Sequence, residues 1–162
     1  MTDVRWLHCD IKSVSLLGNV LARQAAADAG VAETVQFRDG FLTEASSSNV
    51  WVVRGGALLS PPRDAKILEG IRMGLLEELA NAVGLPFRIE PVAEADVRSA
   101  DELLLTSASK EVLAIVELDG QPIGSGKPGP VFHQLLAAYQ DAKQRSADAA
   151  AALGAGRHKE AV

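Results

Sequence analysis

The sequence predicts a single domain of the α+β class. Its 162 residues match the size of one ordinary domain, and a chain that is 48% apolar and 23% charged has the composition of a globular protein. Segments with helical periodicity and short strand-like segments follow one another without the regular strand-helix-strand order of a Rossmann sheet. An α+β architecture therefore fits better than a doubly wound one.

The first predicted element is an amphipathic helix over residues 13–30. Five apolar residues recur there at helical spacing: Val14, Leu17, Val20, Leu21 and Ala25. Ser13 or Ser15 is a suitable N-cap, and Gly30 lies where a left-handed C-terminal cap is expected.

Short strands are predicted next, between residues 34 and 62. β-branched and aromatic residues are frequent in this stretch, and three pairs of turn-forming residues interrupt it at Asp39-Gly40, Gly55-Gly56 and Pro61-Pro62. Such pairs between strand-like segments indicate hairpins.

A second helix is predicted over residues 71–83, where the helical period returns. Its apolar stripe is Ile71, Leu75, Leu79 and Val83, and Gly84 and Pro86 end it. The rest of the chain predicts, in order, a strand at 87–91, a short helix at 93–99, two buried strands at 102–107 and 112–120, and a helix from 130 to about 145. Residues 146–162 are small and lack an apolar stripe, which predicts a frayed or disordered tail.

Charge and cysteine usage exclude several classes of function. A net charge of -5 with scattered basic residues argues against nucleic acid or an anionic membrane as the main partner. No apolar stretch has the length of a membrane span or the form of a signal peptide, so we expect a cytoplasmic protein. Cys9 is the only cysteine, and His8, His133 and His158 lie far apart, so we expect neither a disulfide nor a metal site.

Two segments carry residues suited to chemistry. Lys12 is either a solvated lysine or an amine that bonds to a carbonyl, a role that needs partial desolvation. Its position before the predicted helix favours the neutral amine, because a cation there opposes the helix dipole. Glu44 precedes Ser46, Ser47 and Ser48 between two apolar strands, which indicates either a serine-rich hairpin loop or a surface that organises a ligand.

Two other segments are suited to binding an anion. Gly70 precedes Ile71 and Arg72 at a predicted helix start, where unpaired amides can hold a phosphate, although many ordinary helices also start after glycine. Thr106 and Ser107 end an apolar strand, which indicates either a capped turn or a second contact to the same anion.

Five sequence blocks, taken in order, resemble the class IV aminotransferases, a fold-type IV group of pyridoxal-phosphate enzymes. The blocks are RWL and CDIKS at 5–13, LLGNVLA at 16–22, TE and SSSNV at 43–50, ILEGI at 67–71 and IVELDGQPIGSGKPGP at 115–130. The resemblance covers about residues 4–145, and CDIKS together with SSSNV is quite specific. Around the lysine the pattern is similar to the D-amino acid aminotransferases, whereas branched-chain aminotransferases and aminodeoxychorismate lyase share the fold but differ there.

The resemblance implies a cofactor, a reaction and a set of site residues. The cofactor is pyridoxal 5′-phosphate, the reaction transfers an amino group between a D-amino acid and a 2-oxo acid, and Lys12 is the Schiff-base lysine and proton shuttle. Glu44 pairs with the pyridine nitrogen and keeps it protonated. Near the cofactor ring, the resemblance implies contacts from Ser47 or Ser48, on the phosphate side, and from Leu68, against a ring face. At the phosphate it implies the amides of Ile71 and Arg72 together with Ser107. Gly70 and Ala108, which adjoin these residues, complete the implied cofactor-binding set. The implied fold is the family's larger domain over residues 1–145, a barrel-like mixed sheet flanked by helices.

The sequence also departs from the family's pattern. Arg72 stands where the family usually has threonine, and Ala108 stands where a second hydroxyl is frequent. The family carries a smaller domain ahead of the segment that begins here, and that domain helps to hold the substrate carboxylate. We therefore expect the large domain alone, with exposed apolar surface that favours a homodimer or higher homo-oligomer. A catalytically incompetent remnant domain and an aminodeoxychorismate lyase stay open as alternatives to D-amino acid transamination.

Overall fold

The computed structural model describes residues 1–157, whose helices and strands form the predicted α+β mixture. In chain order the elements are α1 (Leu17–Asp28), β1 (Val35–Arg38), β2 (Phe41–Ala45), β3 (Asn49–Arg54), β4 (Ala57–Ser60), α2 (Ile71–Ala82), β5 (Phe87–Ile89), α3 (Glu94–Arg98), β6 (Glu102–Ser107), β7 (Glu111–Ile115), β8 (Glu117–Leu118), β9 (Gln121–Pro122) and α4 (Pro130–Arg157). The predicted strand at 112–120 is divided between β7 and β8, and the other elements differ from prediction mainly at their ends.

A five-stranded sheet in the order β5-β4-β3-β6-β7 lies at the centre of the fold. Its neighbouring strands are antiparallel except for β4 and β5, which are parallel because the chain crosses over through α2 between them. The register of β3 and β6 pairs Asn49 with Thr106. The start of β3 therefore lies beside the end of β6, and polar residues from both strands meet at the same end of the sheet.

Glycine turns join the short strands, as the turn-forming pairs predicted. Asp39 and Gly40, between β1 and β2, have φ angles of 54° and 79°, and Gly55 and Gly56, between β3 and β4, have 56° and 74°. Two successive left-handed residues match the right-handed twist of a hairpin, so these two predicted hairpins are confirmed. The third pair, Pro61-Pro62, does not form a hairpin, because it follows β4 in a segment that leads to α2.

The central sheet is buried on both faces. Successive residues of β3 alternate between them: Trp51 and Val53 belong to the core with α2 and α4, whereas Val50 and Val52 belong to the core with β1, β2 and α3. Burial on both faces explains why β3 and β6 are nearly continuous apolar runs.

The mixed sheet flanked by helices is confirmed, but the described residues do not form a closed barrel. β5 and β7 are edge strands, and β1 and β2 form a ladder of their own. That ladder is linked to the segment after β5 by isolated contacts, such as the 2.8 Å hydrogen bond from the Leu42 amide to the Val92 carbonyl. Isolated contacts of this kind do not continue the strand ladder, which leaves the sheet open.

Helix α1 packs through small residues, and the stripe predicted from the sequence lies on its exposed side. Ala22 and Ala26 are fully buried, whereas Leu17 is 73% exposed. A Cβ atom at Gly18 would lie 2.9 Å from the Cα atom of Arg5, so the helix approaches the N-terminal segment closely on its small-residue side. Apolar periodicity located the helix correctly but assigned the wrong face to the core.

The caps of α1 agree with the sequence only at its C-terminus. Gly30 has the predicted left-handed conformation, and its amide donates to the Ala27 carbonyl. At the other end neither Ser13 nor Ser15 caps the helix, because Leu16 occupies the N-cap position and makes no side-chain cap.

Helix α2 also differs from prediction in its buried face. Its buried residues are Met73, Leu76, Leu79 and Ala80. Ile71, the first member of the predicted stripe, is 86% exposed and lies at the cavity described below. Of the predicted stripe, only Leu79 is fully part of the core.

Helix α4 is longer than the sequence predicted. It continues to Arg157 through most of the expected tail at 146–162, and residues 158–162 lie outside the described part of the chain. Alanine has the highest intrinsic helix propensity, so an alanine-rich stretch can extend a helix without an apolar stripe. None of the helices within residues 1–157 is both long and apolar enough to cross a membrane.

The start of α4 is held by the buried carboxylate of Glu102. The two carboxylate oxygens accept hydrogen bonds from the Val131 and Phe132 amides, each 2.8 Å long. These amides have no partner within the helix, and a negative charge there complements the helix dipole. Glu102 therefore joins α4 to the central sheet.

Replacing Glu102 by glutamine should destabilise the protein. Glutamine keeps the shape but offers one acceptor oxygen to two donors, so we expect the free energy of unfolding to fall by about 1–3 kcal/mol. Urea denaturation measures it, with Glu117→Gln on the exposed strand β8 as the matched control. Coinciding unfolding curves for the two variants would contradict this role.

Candidate functional site

Four separate parts of the chain enclose a cavity of about 810 Å³. They are the N-terminal segment before α1, the loop between β2 and β3, the start of α2, and the end of β6 with the residues that follow it. All ten residues that the sequence singled out line this cavity: Lys12, Glu44, Ser47, Ser48, Leu68, Gly70, Ile71, Arg72, Ser107 and Ala108. Their individual roles stay predictions, but one cavity brings them together.

Lys12 lies in the irregular segment before α1 and is exposed at the cavity wall. Helix α1 begins at Leu17, five residues further on. Because the effect of a helix dipole falls off within the first turn, the dipole does not act on Lys12 as the sequence suggested. The position of Lys12 therefore depends on the loop and its neighbours.

Glu44, in β2, is a buried carboxylate held by three donors. One oxygen accepts from Nη1 of Arg5, and the other accepts from the Leu68 amide at 2.9 Å and from Nδ2 of Asn49 at 3.3 Å. These contacts come from three different segments, so they hold the carboxylate in one orientation at the cavity wall.

Arg5, which the sequence analysis did not single out, links Glu44 to a second buried carboxylate. Its Nε and Nη2 atoms bind the two oxygens of Asp3 at 2.9 and 2.8 Å, and Arg38 binds Asp3 at 3.1 Å. Burial alone would raise the pKa of Asp3, but hydrogen bonds and charge from Arg5, together with the Thr43 hydroxyl, outweigh it and hold that pKa below its usual range. Arg5 belongs to the RWL block of the family resemblance, and that block is the sequence signal that could have identified it as a site residue.

Asn49 and Gly70 fit closely together behind Glu44. Besides Glu44, Nδ2 of Asn49 binds the Leu68 carbonyl at 2.8 Å. A Cβ atom at Gly70 would lie 2.6 Å from Oδ1 of Asn49, closer than two such atoms can approach. Glycine is therefore needed at position 70 for packing, and its φ of -67° is one that any residue can adopt.

The cavity presents several hydrogen-bond donors that lack a partner within residues 1–157. The amides of Ile71 and Arg72 begin α2, where Gly70 provides no side-chain cap. The Ser48 hydroxyl is buried without a partner. Ser107 accepts a hydrogen bond from the Lys110 amide at 3.1 Å, so its own proton is free to donate. Such a set of donors at a helix start suits an anion.

A partly buried ion pair links the loop of residues 46–48 to the turn after β6. The carboxylate of Glu33 accepts hydrogen bonds from the Ser46 amide at 3.2 Å and from Nζ of Lys110 at 3.0 Å. Burial would raise the pKa of Glu33, but the Ser46 hydroxyl and Lys110 outweigh it and lower that pKa. This contact holds two walls of the cavity together.

Possible metal ligands are not grouped in the described chain. Within residues 1–157, three or more histidine, cysteine, aspartate or glutamate side chains do not come together in a way that could hold a metal ion.

Comparison with known proteins gives consistent matches. The family model of the class IV aminotransferases matches residues 1–118. D-alanine aminotransferase of Staphylococcus aureus (strain MSSA476) is 39% identical over 138 residues, which cover 85% of this chain and 49% of that protein. D-alanine aminotransferase of Bacillus licheniformis is 40% identical over 139 residues, covering 86% of this chain and 49% of the relative. The chain thus spans about half the length of the curated relatives it matches.

Solved structures agree with this similarity. A branched-chain amino acid aminotransferase from Thermobaculum terrenum, in its PLP form, superposes with a TM-score of 0.81 at 29% identity and covers 87% of this chain and 48% of that one. A branched-chain aminotransferase from the archaeon Thermoproteus uzoniensis, with norvaline, has a TM-score of 0.78 at 25% identity, covering 86% of this chain and 49% of that one.

The contact between Gly70 and Asn49 predicts opposite effects for two glycine-to-alanine changes. Gly70→Ala should lower the free energy of unfolding by about 1–3 kcal/mol, because the new methyl group displaces Asn49. Gly74→Ala, where a Cβ atom meets nothing within 4 Å, should raise it by about 0.5–1 kcal/mol through helix propensity. Urea denaturation compares the two, and shifts in the same direction would refute the packing argument.

Proposed function

The chain belongs to the class IV aminotransferase family, and from this premise we propose that its cavity binds pyridoxal 5′-phosphate and serves amino-group transfer between a D-amino acid and a 2-oxo acid. The observation that carries the proposal is the composition of the cavity lining. A lysine, a buried carboxylate and a group of unpartnered donors line the same space.

The residues present fit the cofactor. The buried hydroxyl of Ser48 lacks a hydrogen bond that a ligand can supply, and the free amides of Ile71 and Arg72 suit a phosphate. We assign the phosphate to these donors and Ser107, and the ring to the space beside Leu68 and Glu44. When bound, pyridoxal phosphate supplies an electron sink for the electron pair left at the amino acid Cα after deprotonation.

Two residues then carry the chemistry of this chain. Lys12 would hold the cofactor through its ε-amine, and once the substrate amine has taken its place the freed ε-amine would move a proton between the substrate Cα and the cofactor C4′ atom. The carboxylate of Glu44, held in place by Arg5 and the Leu68 amide, pairs with the pyridine nitrogen and favours its protonated form. The lysine is thus the proton carrier, and the carboxylate is the group that its donors hold in one orientation.

D-alanine is the first substrate to test, because the relatives with 39–40% identity over 85–86% of this chain are D-alanine aminotransferases. The structural relatives described above are branched-chain aminotransferases at 25% and 29% identity. The sequence relatives therefore favour a D-amino acid as the donor and a 2-oxo acid as the acceptor.

We expect the purified chain, mixed with pyridoxal phosphate, to gain a visible absorption band that borohydride removes. Lys12→Ala should abolish the band, whereas Lys127→Ala, an exposed lysine outside the cavity, should keep it. Glu44→Gln should keep the band and lose about a hundredfold or more of the transamination rate. A band that survives Lys12→Ala would refute the assignment.

The substrate assays separate the alternatives. Conversion of D-alanine and 2-oxoglutarate to pyruvate and glutamate supports the proposed reaction. Conversion of L-alanine but not D-alanine with the same acceptor contradicts the D preference. Pyruvate released from aminodeoxychorismate identifies a lyase. A lysine-dependent band without turnover of any of these substrates identifies a catalytically incompetent remnant.

We also propose that the chain self-associates through an apolar segment, residues 4–21. The large apolar side chains exposed in this segment are Val4, Trp6, Leu7, Ile11, Val14, Leu16, Leu17, Val20 and Leu21. Trp6, Ile11 and Leu16 also line the cavity, so a surface that covers this segment would also restrict access of water to the site.

Light scattering should therefore give the mass of a dimer or higher oligomer at micromolar concentration. The double change Leu17→Glu and Val20→Glu places charges on the apolar segment and should shift the mass towards the monomer. Leu113→Glu, on the edge strand β7 outside the segment, is the control and should not. A monomeric mass for the unaltered chain at all concentrations tested would contradict self-association.

A further inference from the structure

Arg72, the residue that stands where the family usually has threonine, is half-buried and directs its side chain towards the end of β6. Its Nε atom donates to the Ser107 carbonyl at 2.6 Å, and its Nη2 atom donates to the Ala108 carbonyl at 2.8 Å. A planar guanidinium can bind two adjacent carbonyls at once, which the single ammonium of a lysine does less well. Arg72 therefore binds the backbone at the start of the β6–β7 turn, which comprises residues 108–110.

A residue of α4 fixes the guanidinium from another direction. Nη1 of Arg72 donates to the hydroxyl of Tyr139, and the guanidinium carbon lies 5.1 Å from the centroid of the Tyr139 ring. Tyr139 is itself part of the core between α2 and α4. The position of the Arg72 side chain is thus set by the core.

The β6–β7 turn depends on such contacts. Ala108 and Ser109 are exposed, and the far end of the turn is held by Lys110 through its ion pair with Glu33. The near end is held by Arg72. Ser107 offers its free hydroxyl proton to the same cavity as the unpartnered amides of α2. The contact from Arg72 therefore joins the segments that carry these two groups of donors.

We propose that Arg72 is a positioning residue for the phosphate of the cofactor. It holds the Ser107 side of the cavity against the start of α2, so that the hydroxyl and the two helix amides converge on one phosphate group. It acts through the backbone carbonyls and not as a charge against the phosphate, because three of its donors are directed at Ser107, Ala108 and Tyr139. This inference rests on the proposed binding of pyridoxal phosphate.

Titrations with pyridoxal phosphate and with pyridoxal, which lacks the phosphate, test the role. Loss of the two carbonyl contacts in Arg72→Gln should weaken binding of pyridoxal phosphate about tenfold and leave binding of pyridoxal within about twofold. Arg72→Lys should weaken binding of pyridoxal phosphate by a similar factor, since lysine keeps the positive charge but cannot donate to both carbonyls as the planar guanidinium does. Arg98→Gln, an exposed arginine on α3, is the control and should bind both compounds normally.

Amide hydrogen exchange in the unliganded protein provides a readout that does not depend on the cofactor. Both Arg72 variants should exchange faster than the unaltered protein at residues 107–110, and Arg98→Gln should not. Normal affinity of Arg72→Lys for pyridoxal phosphate would overturn the positioning role in favour of direct charge pairing, and unchanged exchange in both variants would overturn it as well. If the unaltered protein binds neither compound, the proposed function itself is refuted. This outcome is seen without any variant, so it is distinct from a failure of the role proposed for Arg72.

Discussion

The buried ion network around Arg5 is the constraint on which the site depends. The Arg5 side chain is 2% exposed and lies between the carboxylates of Asp3 and Glu44. Buried charges are tolerated only when they are paired, so the N-terminal segment, β2 and the loop between β4 and α2 must meet at this point. Helix α1 follows the same constraint, because Gly18 allows it to lie directly on Arg5.

This network also distinguishes the hydrogen-bonded part of the cavity lining, around Glu44, from the segment that carries Lys12. Glu44 accepts hydrogen bonds from Asn49 and the Leu68 amide, and Gly70 packs closely against Asn49. Lys12 lies in an exposed, irregular segment between Arg5 and α1. The cavity thus has one wall held by side-chain hydrogen bonds to Glu44 and another formed by the exposed segment that carries Lys12.

The sequence predicted what is encoded locally. Glycine pairs identified the hairpins, and apolar periodicity identified each helix, because backbone conformation and short-range packing determine both. It did not predict which face of α1 or α2 is buried, since that depends on distant partners such as Arg5. Nor did it predict the contacts of Arg72, whose carbonyl partners lie 35 and 36 positions away in the chain. All ten predicted site residues do line one cavity, and motif order made that prediction possible where individual residues did not.

The unpartnered hydroxyl of Ser48 has a thermodynamic consequence. A buried polar group without a hydrogen bond destabilises the folded state by about 1–3 kcal/mol relative to a satisfied one. A ligand that supplies this bond removes the deficit, so occupancy and resistance to unfolding become linked equilibria. A ligand bound beside Ser48 should therefore raise the free energy of unfolding as well as fill the cavity.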